Sequence, residues 1–234
     1  MQIHRSDLAH CAQLDGAVVV IDVLRAFTTA AYAFAHGARS IVAIDSIEAL
    51  PALRRRYPDA LAVGSKAGGA PVAGFDLGNS PSQLIRLDVA GRTLIMYTVG
   101  GVRGIAACAR ATTILAAALV NAGATARHLL ALAPPTVTLV VTGTWTDRDG
   151  DEDIACADRI EAILRGKAPP ANAHALRVRR SDFGRRFASG KDPNLPPADL
   201  DCCAAADLFD FAMPIERTGD RLTITPLPIA QSVR

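Results

Sequence analysis

The sequence lacks the patterns that mark several large classes of protein. Its five cysteines form no C-x-x-C pair, so neither a zinc site nor a disulfide framework is indicated. No apolar run reaches the roughly 18 residues of a membrane span, and no charged-then-apolar leader is present. A net charge of +2 and an aromatic content of 5% disfavour nucleic-acid binding. These absences predict a cytoplasmic protein with reduced cysteines that binds neither membranes nor nucleic acids.

The sequence is rich in apolar residues. Half of its 234 residues are hydrophobic, which is enough for one large core. We therefore expect a single compact domain over residues 1–234, and the alternative division is into two lobes at about 1–125 and 126–234. So apolar a chain also suggests a homo-oligomer.

One structural plan recurs three times along the chain. In each instance an apolar strand without alternation leads through a polar loop into an amphipathic helix. The predicted elements are strand 17–23, helix 26–36 and strand 41–44; strand 93–98 and helix 103–109; and strand 136–143 and helix 152–165. The similarity between residues 18–44 and 94–117 suggests that the module is duplicated. The alanine-rich window 104–120 is also a candidate core helix, which Arg110 breaks.

This alternation predicts a three-layer α/β/α fold with a mostly parallel or mixed sheet. Beyond about residue 166 the chain is rich in turn residues, and it ends in a predicted helix near 198–206 and a hairpin around residues 218–220. In such sheets, ligands bind where the carboxyl ends of strands meet loops and helix N-termini. Polar residues at those strand ends should therefore converge on one site.

The residues expected at that rim are mostly carboxylates, arginines and glycines. They are Asp22, Arg25, Thr28, Thr98, Gly100, Gly101, Arg103, Asp147, Asp149, Asp151, Glu152 and Asp153. The glycine-rich stretch 64–84 adds Lys66, Gly69, Asp76 and Asn79. Carboxylate oxygens suit Mg²⁺, whereas arginine and backbone N–H groups suit phosphate. Structural roles are the alternative, because a strand-terminal aspartate can cap a helix and an acidic loop can be a solvated helix start.

Four stretches together resemble the 2-phosphosulfolactate phosphatase family. They are "VVVIDVLRAFTTAAYAFAHGA", "GFDLGNSPSQ", "TLIMYTVGGVRGIAA" and "EDIACAD", in this order and spacing over about residues 15–165. The resemblance implies a Mg²⁺-dependent phosphatase that converts (2R)-phospho-3-sulfolactate into 3-sulfolactate and phosphate, a step toward coenzyme M in archaea. The implied partner is a small phosphorylated acid.

The rim and the resemblance together give a predicted set of site residues. The predicted catalytic residues are Asp22, Arg25, Glu152 and Asp153, and the hypothetical Mg²⁺ ligands are Asp22, Glu152 and Asp153. The predicted substrate-binding residues are Thr28, Lys66, Gly69, Asp76, Asn79, Thr98, Gly100, Gly101 and Arg103. Further positions that match the family motifs are Thr29, Gly78, Ser80 and Cys156.

Three motifs depart from the pattern that the resemblance implies. Ser65 stands in place of an acid, Gly100 and Val102 replace Asn and Thr, and Asp158 replaces Gly. These changes keep open a second function, a non-catalytic binding protein for phosphorylated or sulfonated small acids. A haloacid-dehalogenase phosphatase is rejected because Leu24 occupies the position of its second acid.

Overall fold

A mixed sheet with helices on its faces makes up the fold, and the computed structural model describes it over residues 1–144 and 148–229. The strands are β1 Gln2–Asp7, β2 Ala17–Ile21, β3 Ser40–Ala43, β4 Leu61–Ser65, β5 Thr93–Thr98, β6 Thr113–Ala117, β7 Thr136–Val141, β8 Phe211–Thr218, β9 Arg221–Ile224 and β10 Leu227–Pro228. The α-helices are α1 Ala26–Ala35, α2 Leu50–Arg56, α3 Pro81–Leu84, α4 Gly101–Ala107, α5 Ala122–Leu132, α6 Asp151–Leu164, α7 Ala171–Arg180, α8 Asp182–Ser189 and α9 Pro197–Cys203.

The sheet consists of two parallel halves joined by an antiparallel hairpin. The strand order is β1-β7-β2-β6-β8-β9-β3-β5-β4, and β10 pairs with β8. The first half-sheet contains the parallel strands β1, β7, β2 and β6, and the second contains the parallel strands β3, β5 and β4. Strands β8 and β9 lie between them and are antiparallel to both neighbours. The prediction of an α/β fold with a mixed sheet is confirmed.

The hairpin reverses the direction of the second half-sheet relative to the first. Three successive antiparallel pairings separate β6 from β3, so in a flat sheet the carboxyl ends of the two halves would lie at opposite edges. Strand β8 instead changes partner along its length, pairing with β6 at Met213 and Pro214 and with β9 from Ile215 onward. Both half-sheets contribute one face to a single buried cluster around α1 and α4.

The two predicted strand–helix–strand modules cross each other between the half-sheets. The first module starts on β2 in the first half-sheet, passes through α1 and ends on β3 in the second. The other module runs from β5 in the second half-sheet through α4 to β6 in the first. This reciprocal crossing is the arrangement that two copies of one module would produce. It also brings the carboxyl ends of β2 and β5 together.

Helices cover the outer faces of both half-sheets. Alternate residues of β2 and β7, such as Val19 and Leu139, are buried with Ile160 of α6. On the second half-sheet, Ile95 is buried with Leu50 of α2. Among the helices of residues 1–144 and 148–229, none is long and apolar enough to span a membrane.

The prediction of a core helix over 104–120 is wrong. Helix α4 ends at Ala107, and Thr113–Ala117 is strand β6, which pairs in parallel with β2. Alanine favours a helix, but β6 begins with the β-branched residues Thr113 and Ile114, which favour a strand. Beside β2, both faces of β6 are buried. Tertiary context therefore decides the structure of this segment.

Candidate active site

A polar cleft lies where the carboxyl ends of β2, β4, β5 and β7 meet. It is lined by Asp22, Leu24, Arg25, Ser65, Lys66, Ala67, Gly68, Gly69, Asn79, Thr98, Val99, Gly100, Thr142, Gly143, Arg148, Glu152, Asp153 and Phe183. The strand ends that the sequence pattern predicted to converge are thus in one place. The two crossing modules supply the carboxyl ends of β2 and β5, and β7 supplies the carboxyl end of the third predicted strand. The carboxyl end of β4 lies beside them.

Asp22 joins the first residues of helices α1 and α4. One carboxylate oxygen accepts a hydrogen bond from the backbone N–H of Ala26 at 2.9 Å, and the other accepts one from Gly101 at 2.8 Å. Gly101 must be glycine, because a Cβ there would lie 2.9 Å from both the Cβ of Asp22 and the ring of Phe27. Asp22 is therefore both a structural cap and a wall of the cleft.

Asp153 fixes the ends of β2 and β7. Its carboxylate accepts hydrogen bonds from the backbone N–H groups of Val23 at 2.8 Å, Thr142 at 3.0 Å and Gly143 at 2.7 Å. The Thr142 hydroxyl lies 3.3 Å from the same carboxylate and donates to the Ile21 carbonyl at 2.8 Å. With its oxygens engaged in this way, Asp153 is positioned as a brace for the cleft.

Glu152 differs from Asp22 and Asp153 in having a carboxylate oxygen without a hydrogen-bond partner among the described residues. Its side chain is 1% exposed, and within the described part of the chain its Oε2 has no hydrogen bond. Burial raises the pKa of Glu152 to about 7. Burial also raises the pKa of Asp22 and of Asp153, and for Asp153 the nearby charges of Glu152 and Asp22 add to the effect. The cleft thus holds three carboxyl groups close together, and an added cation would favour their ionised forms.

The carboxylates of the cleft offer the oxygen ligands that a divalent cation such as Mg²⁺ prefers. Among the described residues, no group of three His, Cys, Asp or Glu side chains is arranged to hold a metal ion by itself. Mg²⁺ does not need such a group, because it usually binds one or two protein carboxylates, several waters and a substrate phosphate. The unpaired Oε2 of Glu152 and the charge repulsion among the three acids are the features that fit it.

Replacing Glu152 by glutamine should change how stability depends on pH. Between its ordinary value of 4.5 and about 7, Glu152 holds a proton in the folded protein that it releases on unfolding. The free energy of unfolding of the wild type should therefore fall relative to that of E152Q as pH rises through this window, by up to about 3 kcal/mol. Urea unfolding from pH 4.5 to 8 in the presence of a chelator measures the difference.

Glu161 on the same helix provides a control of opposite sign for that series. Its hydrogen bond with Arg5 lowers its pKa, so the wild type should gain stability relative to E161Q as pH rises toward 4.5 and should keep that gain at higher pH, and the series is extended down to about pH 3 to record it. A difference between wild type and E152Q that stays constant with pH would contradict a buried, neutralised Glu152.

Arg25 is held at the cleft by a buried ion pair. Its Nη1 donates to Asp199 at 2.5 Å, and the two side chains are 4% and 0% exposed. The Ser80 hydroxyl and the backbone N–H of Ser82 donate to the other Asp199 oxygen, at 2.8 and 2.9 Å. The Arg25 guanidinium also lies 5.1 Å from the ring of Phe187. Asp199 was not predicted from the sequence. It follows two prolines in "LPPADLD", which is the pattern of a helix start and does not indicate that this aspartate pairs with Arg25.

Arg148 is a second cleft cation that the sequence reasoning missed. Its guanidinium lies 4.4 Å from the ring centroid of Phe183, and both residues line the cleft. Its charge lowers the pKa values of Asp22 and Glu152, against the larger effect of burial. The only available signal was a basic residue inside the acidic run "DRDGDED".

The structure separates the predicted site residues into two groups. Those that line the cleft are Asp22, Arg25, Lys66, Gly69, Asn79, Thr98, Gly100, Glu152 and Asp153. Gly69 adopts φ +87°, and a Cβ there would lie 3.0 Å from Nη2 of Arg25, so a glycine at this turn keeps the arginine in place. Gly101 lies beside the cleft and donates its N–H to Asp22.

Three predicted substrate-binding side chains do not line this cleft. The Thr28 hydroxyl is buried and donates to the Val23 carbonyl at 2.8 Å. Asp76 accepts hydrogen bonds from the Ala62 N–H at 2.7 Å and from Arg54 at 2.9 Å. Arg103 is exposed on α4. Their positions fit structural or surface roles better than contact with a ligand.

The other acidic rim residues serve the loop before α6. The Asp149 carboxylate accepts hydrogen bonds from the N–H groups of Asp151 and Asp182, and Asp151 forms an ion pair with Arg177. Asp147 lies outside the described residues.

The departures from the family motifs fall both inside and outside the cleft. Ser65 and Gly100 line it, and Val102 is buried beneath it, where its N–H donates to the Thr98 hydroxyl at 3.1 Å. Asp158 instead forms ion pairs with Arg5 at 2.9 Å and Arg177 at 2.5 Å near the surface. The change at Asp158 therefore has a structural use away from the cleft.

Comparisons with known proteins agree with these features. A family model described as 2-phosphosulpholactate phosphatase matches residues 3–217. A Bacillus subtilis (strain 168) protein named probable 2-phosphosulfolactate phosphatase is 31% identical over 207 residues, covering 88% of this chain and 90% of that protein. Proteins of the same name from Synechococcus sp. (strain CC9605) and Deinococcus radiodurans are 41% identical over 211 residues and 40% identical over 161 residues. The alignments cover 82% and 68% of this chain, and 85% and 66% of those proteins, respectively.

The match extends over nearly the whole chain, including the strands and loops that build the cleft. The resemblance carried by the four motifs is confirmed. This chain belongs to the 2-phosphosulpholactate phosphatase family, a family of phosphoric monoester hydrolases.

Proposed function

We propose that this protein hydrolyses the phosphate ester of (2R)-phospho-3-sulfolactate, or of a closely related small acid, with the help of Mg²⁺. The observation that carries the proposal is the composition of the cleft, where three buried carboxylates share one space with Arg25, Lys66 and Arg148. Phosphoryl transfer depends mainly on positioning and on neutralising charge, and this cleft supplies groups of both signs for it.

The cations of the cleft match the anionic groups of the substrate. 2-Phosphosulfolactate carries a phosphate, a carboxylate and a sulfonate on three carbons. Burying these groups without cationic partners would be very costly. Arg25 is fixed by its ion pair with Asp199 and still has further N–H donors, so it can hold an oxyanion in a defined orientation. Lys66 and Arg148 approach from other loops and can pair with the remaining anionic groups.

Asp22 and Glu152 are the residues that would hold Mg²⁺, with Asp153 fixing the loop ends around them. When bound, the ion would neutralise phosphate charge. In the hydrolysis, water attacks phosphorus and the bond between phosphorus and the ester oxygen breaks, which leaves inorganic phosphate and the hydroxy acid. The attacking water gives up one proton and the departing ester oxygen takes one up, so the step balances, while the unpaired oxygen of Glu152 would hold the ion.

The proposal is tested by initial rates of phosphate release from a set of small esters. We expect the highest kcat/KM for 2-phosphosulfolactate, a lower value for 2-phospholactate, which lacks the sulfonate, and the lowest for p-nitrophenyl phosphate. A chelator should abolish the reaction and Mg²⁺ should restore it. Equal rates for all three esters would contradict recognition by three cations, and rates unaffected by the chelator would contradict the role of Mg²⁺.

Glutamine at Arg148 should weaken substrate binding more than it slows turnover. Loss of one charge-assisted hydrogen bond is expected to raise KM by about tenfold or more, with kcat within about threefold of the wild type. Arg180 is a matched control, because it is exposed on α7 and does not line the cleft. R180Q should behave as the wild type, and an unchanged KM in R148Q would remove Arg148 from the binding site.

A non-catalytic binding protein is the second candidate function. It is favoured by Ser65 and Gly100, two cleft positions where the family resemblance implies an acid and an amide. Binding of 2-phosphosulfolactate without release of phosphate at saturating Mg²⁺ would support it over the enzyme. The cytoplasmic location, the homo-oligomer and the absence of nucleic-acid partners stay predictions.

A further inference from the structure

A second cavity lies at the opposite ends of β4 and β5 from the cleft. It has a volume of about 320 Å³ and contains three arginines, Arg39, Arg56 and Arg92. Arg39 directly precedes β3 and Arg92 directly precedes β5, whereas the cleft lies at the carboxyl ends of β4 and β5. We call it the arginine cavity. It shares no lining residue with the cleft.

The loops that carry the arginine cavity are fixed to one another. The N–H of Arg39 donates to the Arg92 carbonyl at 2.8 Å, and the N–H of Gly91 donates to the Gly37 carbonyl at 2.8 Å. The Nε of Arg92 donates to the Asp59 carbonyl at 2.8 Å, which ties in the loop before β4. Three loops are therefore joined by short hydrogen bonds, so the cavity exists without a ligand to organise it.

Among the described residues, none of the three guanidinium groups forms an ion pair with a carboxylate. Elsewhere in the chain many arginines pair with an aspartate or glutamate within 4.0 Å, but none of these three does. Arg39 donates to the Thr93 hydroxyl at 3.1 Å, and Arg92 donates to the Asp59 and Asp88 carbonyls. Arg56 lies over the ring of Tyr57 at 5.7 Å. Since each guanidinium has five N–H donors, most donors remain available.

We propose that the arginine cavity binds a small polyanion with two phosphate-type groups. Three guanidinium groups and the single acid Asp59 give the lining a net charge of about +2, which a dianion or a more highly charged ligand would balance. Arginine presents paired N–H groups that match phosphate oxygens. The volume lies at the lower end of the roughly 300–1,000 Å³ that small-molecule sites span, so the ligand is of diphosphate size. This site is independent of the hydrolytic function proposed for the cleft.

Calorimetric titration with inorganic pyrophosphate tests the proposal. Because the cleft also contains cations, the titration is made on a K66Q/R148Q background, with a chelator present and at constant ionic strength. One binding site should remain in this background. Adding R39Q and R92Q should weaken the remaining affinity at least tenfold, whereas adding R55Q, which removes an exposed arginine of α2 outside the cavity, should not.

Two controls keep the outcome interpretable. Far-UV circular dichroism verifies that the variants are folded, and R39K/R92K, which keeps both charges, should retain measurable binding. Identical titrations with and without R39Q and R92Q would overturn the proposal, and so would an equal loss caused by R55Q. The absence of any binding in the K66Q/R148Q background would assign all pyrophosphate binding to the cleft and would also overturn it.

Discussion

Alanine at Asp199 is expected to lower the free energy of unfolding by about 3–5 kcal/mol and to reduce kcat/KM at least 100-fold. The substitution leaves the Arg25 guanidinium buried without its carboxylate partner, which is far more costly than losing a surface ion pair. It also removes the acceptor of the Ser80 hydroxyl and the Ser82 N–H. Arg25 would then no longer be fixed at the cleft. Urea unfolding and phosphate-release kinetics measure the two effects.

Asp201 provides the matched control for Asp199. It lies two residues further on α9 and pairs with Arg179, but its side chain is 71% exposed. D201A should therefore change the free energy of unfolding by less than about 1 kcal/mol and leave the kinetics unchanged. If D199A and D201A were equally stable and active, the buried pair would not hold Arg25 in the way described.

Asparagine at Asp22 is expected to lower kcat by about 1,000-fold. The substitution keeps the size of the side chain but removes the negative charge, and an amide nitrogen cannot accept a hydrogen bond from Ala26 or Gly101. One of these buried N–H groups therefore loses its partner, at a cost of about 1–3 kcal/mol in stability. Loss of a buried carboxylate with a raised pKa offsets part of that cost, so the variant should still fold.

Asp76 is the informative control for Asp22, because the sequence placed both in the site and the structure places only Asp22 in the cleft. D76N should keep kcat and KM within about threefold of the wild type, with some loss of stability through the Arg54 and Ala62 contacts. A D76N variant as inactive as D22N would mean that the cleft described here is incomplete.

The local elements around the site could be predicted from the sequence with good accuracy. The strand predicted over 93–98 is β5 at the same bounds, and helix 26–36 is α1 with one residue fewer. These segments have long apolar runs next to polar or glycine-rich turns, and their own pattern fixes their structure. The segment 104–120 shows the limit of such reasoning, because alanine is compatible with both a helix and a doubly buried strand.

The arrangement of the two half-sheets could not be predicted. Local pattern identified the hairpin around residues 218–220, but nothing in it indicates that β8 and β9 insert between β6 and β3. This insertion reverses the second half-sheet, between which and the first half-sheet the two modules cross. The same limit explains why Asp199 was missed, since its partner Arg25 lies far away in the sequence and the two meet only through tertiary packing.

Asp76 and Arg103 are predicted site residues whose side chains lie outside the cleft. Both lie in motifs that the family resemblance carried into the predicted site, yet one accepts the Ala62 N–H and the other is exposed on α4. A motif records residues that stabilise a loop as well as residues that contact a ligand, and only the positions of the side chains separate the two.

Whether the cleft hydrolyses this ester is shown by the amount of phosphate released when racemic 2-phosphosulfolactate is incubated to completion with the wild-type protein and Mg²⁺. We expect release of half the total phosphate, with one enantiomer left intact, only a trace of release with D22N in the time that the wild type takes to reach completion, and none with a chelator. If the substrate raises the melting temperature of the protein but yields no phosphate at saturating Mg²⁺, the protein is not this phosphatase and the cleft is a binding site without turnover.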